Sequence, residues 1–317
     1  MKEQESLAGT FHPIADHLFQ GLIVLCGVSV LAIVALIVFE LITKSTLSWH
    51  AFGWSFFGRS EWDPVNDQFG ALPFIYGTIV SSILALVIAV PLAVGVAVFI
   101  TEMCPEWLRV PLAFTTELLA AIPSVIYGLW AIFVLVPILR TDVEPLLARL
   151  FGWTGLFEGT PFGIGMLAAG IILAIMVVPI VSSITREVMT AVPRQQREAV
   201  LALGATRWEM IRIGVLRNAR AGIMGGIILG LGRALGETMA VTMVIGNRPE
   251  IARSLFAPGY TMASVIANEF SEATGDLYLS SLVEVGLALF LVTIIVNAIA
   301  QFLVWTVTRG TPARSNA

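Results

Sequence analysis

Six apolar stretches, each close to or longer than the roughly 20 residues that carry an α-helix across a hydrocarbon core, recur along the 317 residues of this chain. They run Gly21–Phe39, Leu72–Ile100, Leu112–Leu139, Phe162–Ile184, Gly222–Ile245 and Leu282–Val307. Inside a bilayer no water satisfies backbone N–H and C=O groups, so such segments span as helices that close their own hydrogen bonds. Composition agrees, since 57% of the residues are hydrophobic and 13% charged, against roughly 25% charged in a soluble domain. A compact soluble fold of this length cannot hide that much apolar surface. The sequence therefore predicts an all-α membrane protein with six transmembrane helices. The first stretch is read as a retained helix, because it exceeds the roughly 7–15 residues of a signal core and no basic segment precedes it. Pro91, Pro123 and Pro179 fall inside three spans and predict kinks, which membrane helices tolerate when neighbours satisfy the freed carbonyls.

Several function classes drop out on residue inventory. Cys26 lies in an apolar run and Cys104 in a short polar connection, so no disulfide framework is expected. The three histidines, His12, His17 and His50, all precede the second span, which leaves the membrane core without a histidine-based metal site or catalytic triad. The only lysines are Lys2 and Lys44, so no phosphate-binding loop of the type G-x-x-x-x-G-K-[ST] exists and the chain cannot hydrolyse ATP by that route. The net charge of −4 says nothing about a nucleic-acid partner.

Orientation follows from the arginines. Residues 185–221 hold Arg186, Arg194, Arg197, Arg207, Arg212, Arg217 and Arg220, seven of the 18 basic residues, and the positive-inside bias places such a connection in the cytoplasm. With six spans both termini then face inward, in agreement with Arg309 and Arg314. The 246–281 connection carries four acids against two arginines and falls outside. The N-terminal tail, Lys2 against Glu3, Glu5 and Asp16, is nearly neutral on the question. Trp49, Trp54 and Trp62 suit an interfacial anchoring belt.

Within the arginine-rich connection, residues 193–210 read as helix, glycine, helix. Pro193 suits a first helical position, Gly204 the left-handed residue after a helix end, and Thr206 with Glu209 a capping box. The bland alternatives are neutralisation of anionic lipid by the arginines and, more weakly, a DNA-binding helix–turn–helix, for which no supporting domain is present. In the fifth span Gly222, Gly226 and Gly230, then Gly232 and Gly236, recur every four residues, a spacing that lets helices pack closely. Arg233 sits at the middle of that span, where a charge costs roughly 2.5–3.5 kcal/mol on insertion scales. The i, i+4 spacing puts Glu237 on the same helical face, where the two can pair. Thr238 flanks the pair and Thr242 continues its face. Intramembrane charges of this kind mark pathways more often than they clamp helices together. Glu117 and Glu284 lie near span ends, where snorkelling or capping accounts for a carboxylate.

Glu198-Ala199-Val200 followed by Gly204-Ala205 resembles the EAA loop of binding-protein-dependent ABC importer permeases, which implies that Glu198, Ala199, Gly204 and Ala205 belong to a docking element for a separate ATPase. The family's downstream Ile-x-Leu-Pro falls on Gly214, Val215, Leu216 and Arg217, so its isoleucine and proline are missing here. Residues 230–247, together with 61–78, 118–130 and 162–179, resemble the phosphate-specific (Pst) importer permeases of the PstC type. That resemblance covers most of the chain from Glu61 to about Arg309. It implies a type I, MetI-like ABC importer permease fold in a bacterial cytoplasmic membrane. It also implies a second, PstA-type permease, a PstB-type ATPase dimer that binds the ATP and Mg, an extracytoplasmic PstS-type phosphate-binding protein, and no cofactor in this chain. Under it Arg233, Glu237 and Thr238 line the substrate path.

The resulting organisation is an N-terminal helix and extracytoplasmic connector over residues 1–71, a five-helix permease core over 72–310 with its cytoplasmic loop at 185–221, and a tail over 311–317. The expected function is inward movement of inorganic phosphate, without chemistry in this chain. A permease for another oxyanion such as sulfate or molybdate is the closest rival. An autonomous channel or secondary transporter, and a membrane-embedded enzyme, stand further off. If the arginine bias sets the topology, a cysteine placed at Gln195 stays unlabelled by impermeant reagents in intact cells; labelling from outside would reverse the orientation.

Overall fold

The computed structural model of the chain describes residues 13–308. Lys2, Glu3, Glu5, His12, the side chains of Asp16 and His17, Arg309, Arg314 and the 311–317 tail lie outside the described residues. Five helices are long and apolar enough to cross a membrane among those described: Leu18–Lys44, Leu72–Met103, Ser124–Thr154, Met166–Thr190 and Asp276–Thr306. They match four of the expected spans and the second half of a fifth.

The first stretch forms α1 (Pro13–Lys44), whose apolar window is not buried at all within the chain. It is followed by the short α2 (Thr46–Phe52). The second forms α3 (Leu72–Val98), which runs on through one wide π-helical turn to Met103 with Pro91 inside it. The third expected span does not form one helix. It is split into α4 (Glu106–Ala121) and α5 (Ser124–Trp130) by Ile122 and Pro123, both with extended backbone. Proline crowds the residue before it out of the helical region, so the expected kink becomes a full break. The Tyr127 hydroxyl donates to the Leu119 carbonyl at 2.7 Å and so satisfies an acceptor the break releases. From α5 the helix continues through π-helical turns, α6 (Val136–Ile138) and α7 (Glu144–Phe151).

The fourth span is α8 (Met166–Thr190), continuous across Pro179. A capped connection, α9 (Arg194–Ala202) and α10 (Arg207–Glu209), leads into α11 (Arg217–Gly236). The fifth expected span is also interrupted: after Gly236 the chain is extended at Glu237, and a separate turn, α12 (Met239–Thr242), follows. The chain then packs back through α13 (Met262–Glu269) and crosses finally in α14 (Asp276–Thr308).

The core forms where α3, α8 and α11 meet. Ala85, Ala89 and Ala93 of α3 are fully buried among Ile172, Ala169 and Val177 of α8; small residues four apart bring two helix backbones together. The first glycine ladder behaves likewise. Gly222 faces Val188, Gly226 faces Ile184, and a Cβ on Gly230 would lie 2.8 Å from Val177 and 2.9 Å from Val181. The second ladder does not pack: Gly232 and Gly236 have nothing within 4 Å of a Cβ position. They lie on a side that the chain's own helices leave uncovered.

At the end opposite the arginine-rich connection, aromatic residues close the fold. Trp54 is largely exposed and, with Trp49 beside it at 5.2 Å between ring centroids, suits the expected belt. Trp62 does not. It packs on Phe69 and Phe74, centroids 4.9 and 4.8 Å away, and donates its indole N–H to Glu269 at 2.8 Å. Burial raises the Tyr260 hydroxyl pKa in this cluster. Glu284 also departs from expectation. Because α14 starts at Asp276, Glu284 lies two turns inside the helix, fully buried, with both carboxylate oxygens lacking a hydrogen-bond partner among the described residues. Interfacial snorkelling does not describe it.

Helix approach at Gly230 yields a direct expectation. Gly230→Leu should overpack the α8–α11 contact at a cost of about 1–3 kcal/mol and lower the thermal stability of the purified protein. Gly232→Ala, which meets nothing, should leave it unchanged.

Candidate functional site

The residues singled out by sequence separate into two places along one helix. From Arg207 to Gly236 the backbone is helical without interruption, because the seven residues Met210–Leu216 form a π-helical segment that joins α10 to α11. The second helix of the expected helix–glycine–helix unit is thus the start of a long rod. Arg217, at the position of the missing proline, keeps its N–H and lets the rod continue. One end of it carries the α9 unit and the other carries Arg233.

At the α9 end the glycine and capping-box signals act as read, whereas Pro193 stands just before the first helical position, at the N-cap with extended backbone. Gly204 has φ +85° and its N–H donates to the Leu201 carbonyl at 2.9 Å, the left-handed termination that glycine accepts without strain. Thr206 and Glu209 form the reciprocal capping box. The Thr206 backbone N–H, and after it the hydroxyl, hold the Glu209 carboxyl below the usual carboxylate range. Glu198, Ala199 and Gly204 are exposed and Ala205 half-buried.

Sequence reasoning missed two features here. Leu203 is 88% and Trp208 61% exposed, so the tip is apolar as well as charged. The unit is also braced. Arg197 pairs with Glu102 at 2.9 Å, donates to the Met189 carbonyl at 2.8 Å and contacts the Val192 carbonyl, while Arg207 donates to the Glu102 carbonyl at 2.6 Å. The Glu102 pair is well buried, and charge-assisted bonds of this kind hold geometry strongly. The ends of α3 and α8 are therefore tied to α9. Only the sequence distance between Glu102 and Arg197 hid this, since both charges were visible.

At the other end Arg233, Glu237 and Thr238 come together, but not on one helical face. Arg233 occupies the last turn of α11, and Glu237 lies past its end in extended backbone, φ −71° and ψ 128°. The Arg233 Nη2 to Glu237 Oε2 distance is 3.9 Å, an ion pair without a hydrogen bond. Glu237 is buried, and its Oε1 accepts from the Ala240 N–H at 3.4 Å. Each charge thus sits at a helix end of favourable sign, the guanidinium at a C-terminus and the carboxylate at an N-terminus. Thr238 caps Gly236 through its hydroxyl at 3.4 Å, and the Thr242 hydroxyl donates to the Thr238 carbonyl at 2.8 Å. Thr242 serves the break and does not extend a polar face. The Arg233 side chain is 37% exposed and shares its uncovered side with Gly236 and Met239.

The break is held from outside the helix. Gly128 of α5 lies so close to α12 that a Cβ there would approach the Ala240 Cα at 3.2 Å and overlap the Met243 sulfur. Below α12, Asn247 at φ +51° donates its amide to the Thr242 carbonyl at 2.9 Å. Non-helical backbone at membrane depth is tolerated where it is buried in protein or lines a water-filled cavity; here Glu237 is buried, Thr238 half-buried and Gly236 exposed. Chemically, this arrangement presents a fixed positive group with free N–H donors to an open surface, beside a replaceable counterion.

Residues 89–309 match the family model described as "Binding-protein-dependent transport system inner membrane component". The phosphate transport system permease protein PstC of Mesorhizobium japonicum is 47% identical over 304 residues, spanning 95% of this chain and 93% of the relative. The protein of the same name from Pasteurella multocida is 45% identical and spans 92% of each chain. An inward-facing structure of the MetNI methionine ABC transporter shares the fold, with a TM-score of 0.51 at 18% identity over 76% of this chain and 95% of that one.

Packing at Gly128 makes the site sensitive to a residue that never touches it. Gly128→Leu should displace α12 and, with it, Glu237. Transport by the assembled importer should fall by up to about a hundredfold, the effect of a misplacement of about 1 Å, while membrane abundance drops far less. Equal loss of abundance and transport would make Gly128 a plain folding residue.

Proposed function

This chain belongs to the binding-protein-dependent transport system inner membrane components and, among them, to the phosphate transport system permease proteins named PstC; from that premise we propose how its two sites move phosphate. It is a multi-pass membrane permease subunit and not an enzyme. In this reading inorganic phosphate passes inward along the uncovered side that carries Arg233, and a separate ATPase supplies the energy.

Arg233 is the observation that carries the reading. Phosphate near neutral pH is a mixture of singly and doubly charged anions, and crossing a low-dielectric path it needs compensating positive charge. A guanidinium supplies that charge permanently, with donors in a fork that fits a tetrahedral oxyanion. A conduit must also release what it admits. The long, unbonded contact to Glu237 meets that need, because an arriving anion displaces a weak counterion and the carboxylate recovers the arginine afterwards. Glu237 can in addition accept a hydrogen bond from protonated phosphate, which sulfate cannot offer at this pH.

The uncovered side of α11 and α12 fits a second, related permease of the PstA type, so that the path runs between two chains. The α9 unit, with Glu198, Ala199, Gly204 and Ala205 and the exposed Leu203 and Trp208, is the docking element for a PstB-type ATPase dimer, which holds ATP and Mg. A PstS-type binding protein delivers phosphate at the aromatic end. The arginine-rich end then lies in the cytoplasm, as the positive-inside bias requires.

The test is Arg233→Gln in the complete importer. Phosphate uptake should fall by tenfold or more, about 1.4 kcal/mol per tenfold, with membrane abundance and complex assembly near wild type. Arg233→Lys should restore only part of it. Glu237→Gln should weaken uptake less, or relax the preference for phosphate over sulfate. Wild-type uptake by a well-expressed Arg233→Gln variant would remove Arg233 from the path, whereas degradation of both variants would make the pair a structural clamp.

A further inference from the structure

A cavity lies away from the Arg233 site. It holds about 620 Å³ between the end of α3, the outer side of α4, the end of α8 and the start of α9. Four arginines line it, Arg109, Arg186, Arg194 and Arg197, against two glutamates, Glu102 and Glu117. Four positive charges less two negative leave a surplus of two around a half-open cavity, in which Arg109 and Arg194 are exposed.

The arginines divide by how far they are committed. Arg197 is used up by Glu102 and the Met189 and Val192 carbonyls. Arg186 is paired with Glu117. Arg109 spends only its Nε, donating to the Ile100 carbonyl at 3.2 Å, and the Arg194 side chain makes no hydrogen bond or ion pair among the described residues. Both glutamates are thus taken, while two guanidiniums keep free donors toward the cavity. Arg194 also begins α9, a helix of nine residues whose N-terminus adds partial positive charge. Forks of free N–H donors in an electropositive pocket hold an oxyanion such as a phosphate group through paired, charge-assisted bonds.

The wall above these charges is apolar. Val110 and Phe114 of α4 line the cavity and are 73% and 59% exposed, and no residue of α4 is buried. A charged floor beneath an open apolar wall at the end of a membrane helix matches a phospholipid, with headgroup below and acyl chain alongside. Basic pockets between membrane helices on the positive-inside face take anionic headgroups in this manner.

We propose that this cavity binds a phosphate group through Arg109 and Arg194. The apolar wall favours the phosphodiester of an anionic phospholipid, and inorganic phosphate on the same side is the other source of the same chemistry. Occupation ties the start of α9 to α4 and so bears on the docking unit. The placement in the inner leaflet rests on the orientation given above, but the binding itself does not.

The experiment uses the purified complete importer with Arg233→Gln as background, so that the path site contributes nothing. Phosphatidylglycerol retained by the complex is measured by native mass spectrometry, with phosphatidylcholine as the uncharged-net control. Binding of radiolabelled inorganic phosphate is measured by equilibrium dialysis without ATP. Arg194→Gln, which breaks no bond in the structure, and Arg109→Gln/Arg194→Gln should each keep assembly. Retention of one ligand should fall about tenfold in the double variant, as expected for losing a charge-assisted bond, and Arg194→Lys should recover part of it. Loss of phosphatidylglycerol alone identifies the lipid as the source; loss of phosphate alone identifies the free anion. Absence of both ligands from the parent complex, or equal retention by parent and double variant, overturns the site. Because transport is not the readout, a failure here leaves the Arg233 reading standing, and the reverse.

Discussion

In the middle of a bilayer an unpaired backbone group has no water to turn to, and that single constraint decides where this chain can depart from a helix. It does so at two depths, and nearby side chains take up backbone groups at each departure. At Ile122–Pro123 the Tyr127 hydroxyl takes the Leu119 carbonyl. At Gly236–Thr238 the Thr238 hydroxyl, the Glu237 carboxylate and the close approach of Gly128 share the task. The two breaks are linked, because α5, which starts after the first, supports α12, which follows the second. The Arg233–Glu237 pair lies beside the second break, where one side of the backbone is left open.

The same constraint explains the division of glycines. Gly222, Gly226 and Gly230 lie against α8 and bring two helices into contact without side chains between them. Gly232 and Gly236 repeat the spacing but face outward beside Arg233. A spacing of four marks a face of a helix; it does not say whether that face meets the same chain, another chain or a solvated path.

Legibility in the sequence tracked how local the cause was. α1, α3, α8 and α14 could be read from length and apolarity, and the Gly204 turn and the Thr206–Glu209 box from a few adjacent residues. Arg233 could be read from the expense of placing it where it is. The break at Glu237 could not, because Gly-Glu-Thr inside an apolar run carries no strong stop signal and the interruption is enforced by Gly128, more than a hundred residues earlier. Glu284 was misplaced because the apolar window begins at Leu282, whereas the helix begins at Asp276. Trp62 was misplaced because an aromatic residue in a connector suits lipid and a folded cluster equally well. The Arg197–Glu102 pair joins distant segments and has no local signature at all.

The uninterrupted rod from Arg207 to Gly236 has a mechanical consequence. At about 1.5 Å per residue, Arg233 stands roughly 40 Å from the end that holds Trp208. Pivoted near the close contacts of Gly222 and Gly226 with α8, such a rod works as a beam. The pivot divides it into a longer arm toward Trp208 and a shorter one toward Arg233, so a tilt imposed at the docking end arrives at the arginine reduced in size and reversed in direction. Under the proposed function, a shorter stroke delivered with greater force suits the release of an anion from Arg233 better than a long, weak one.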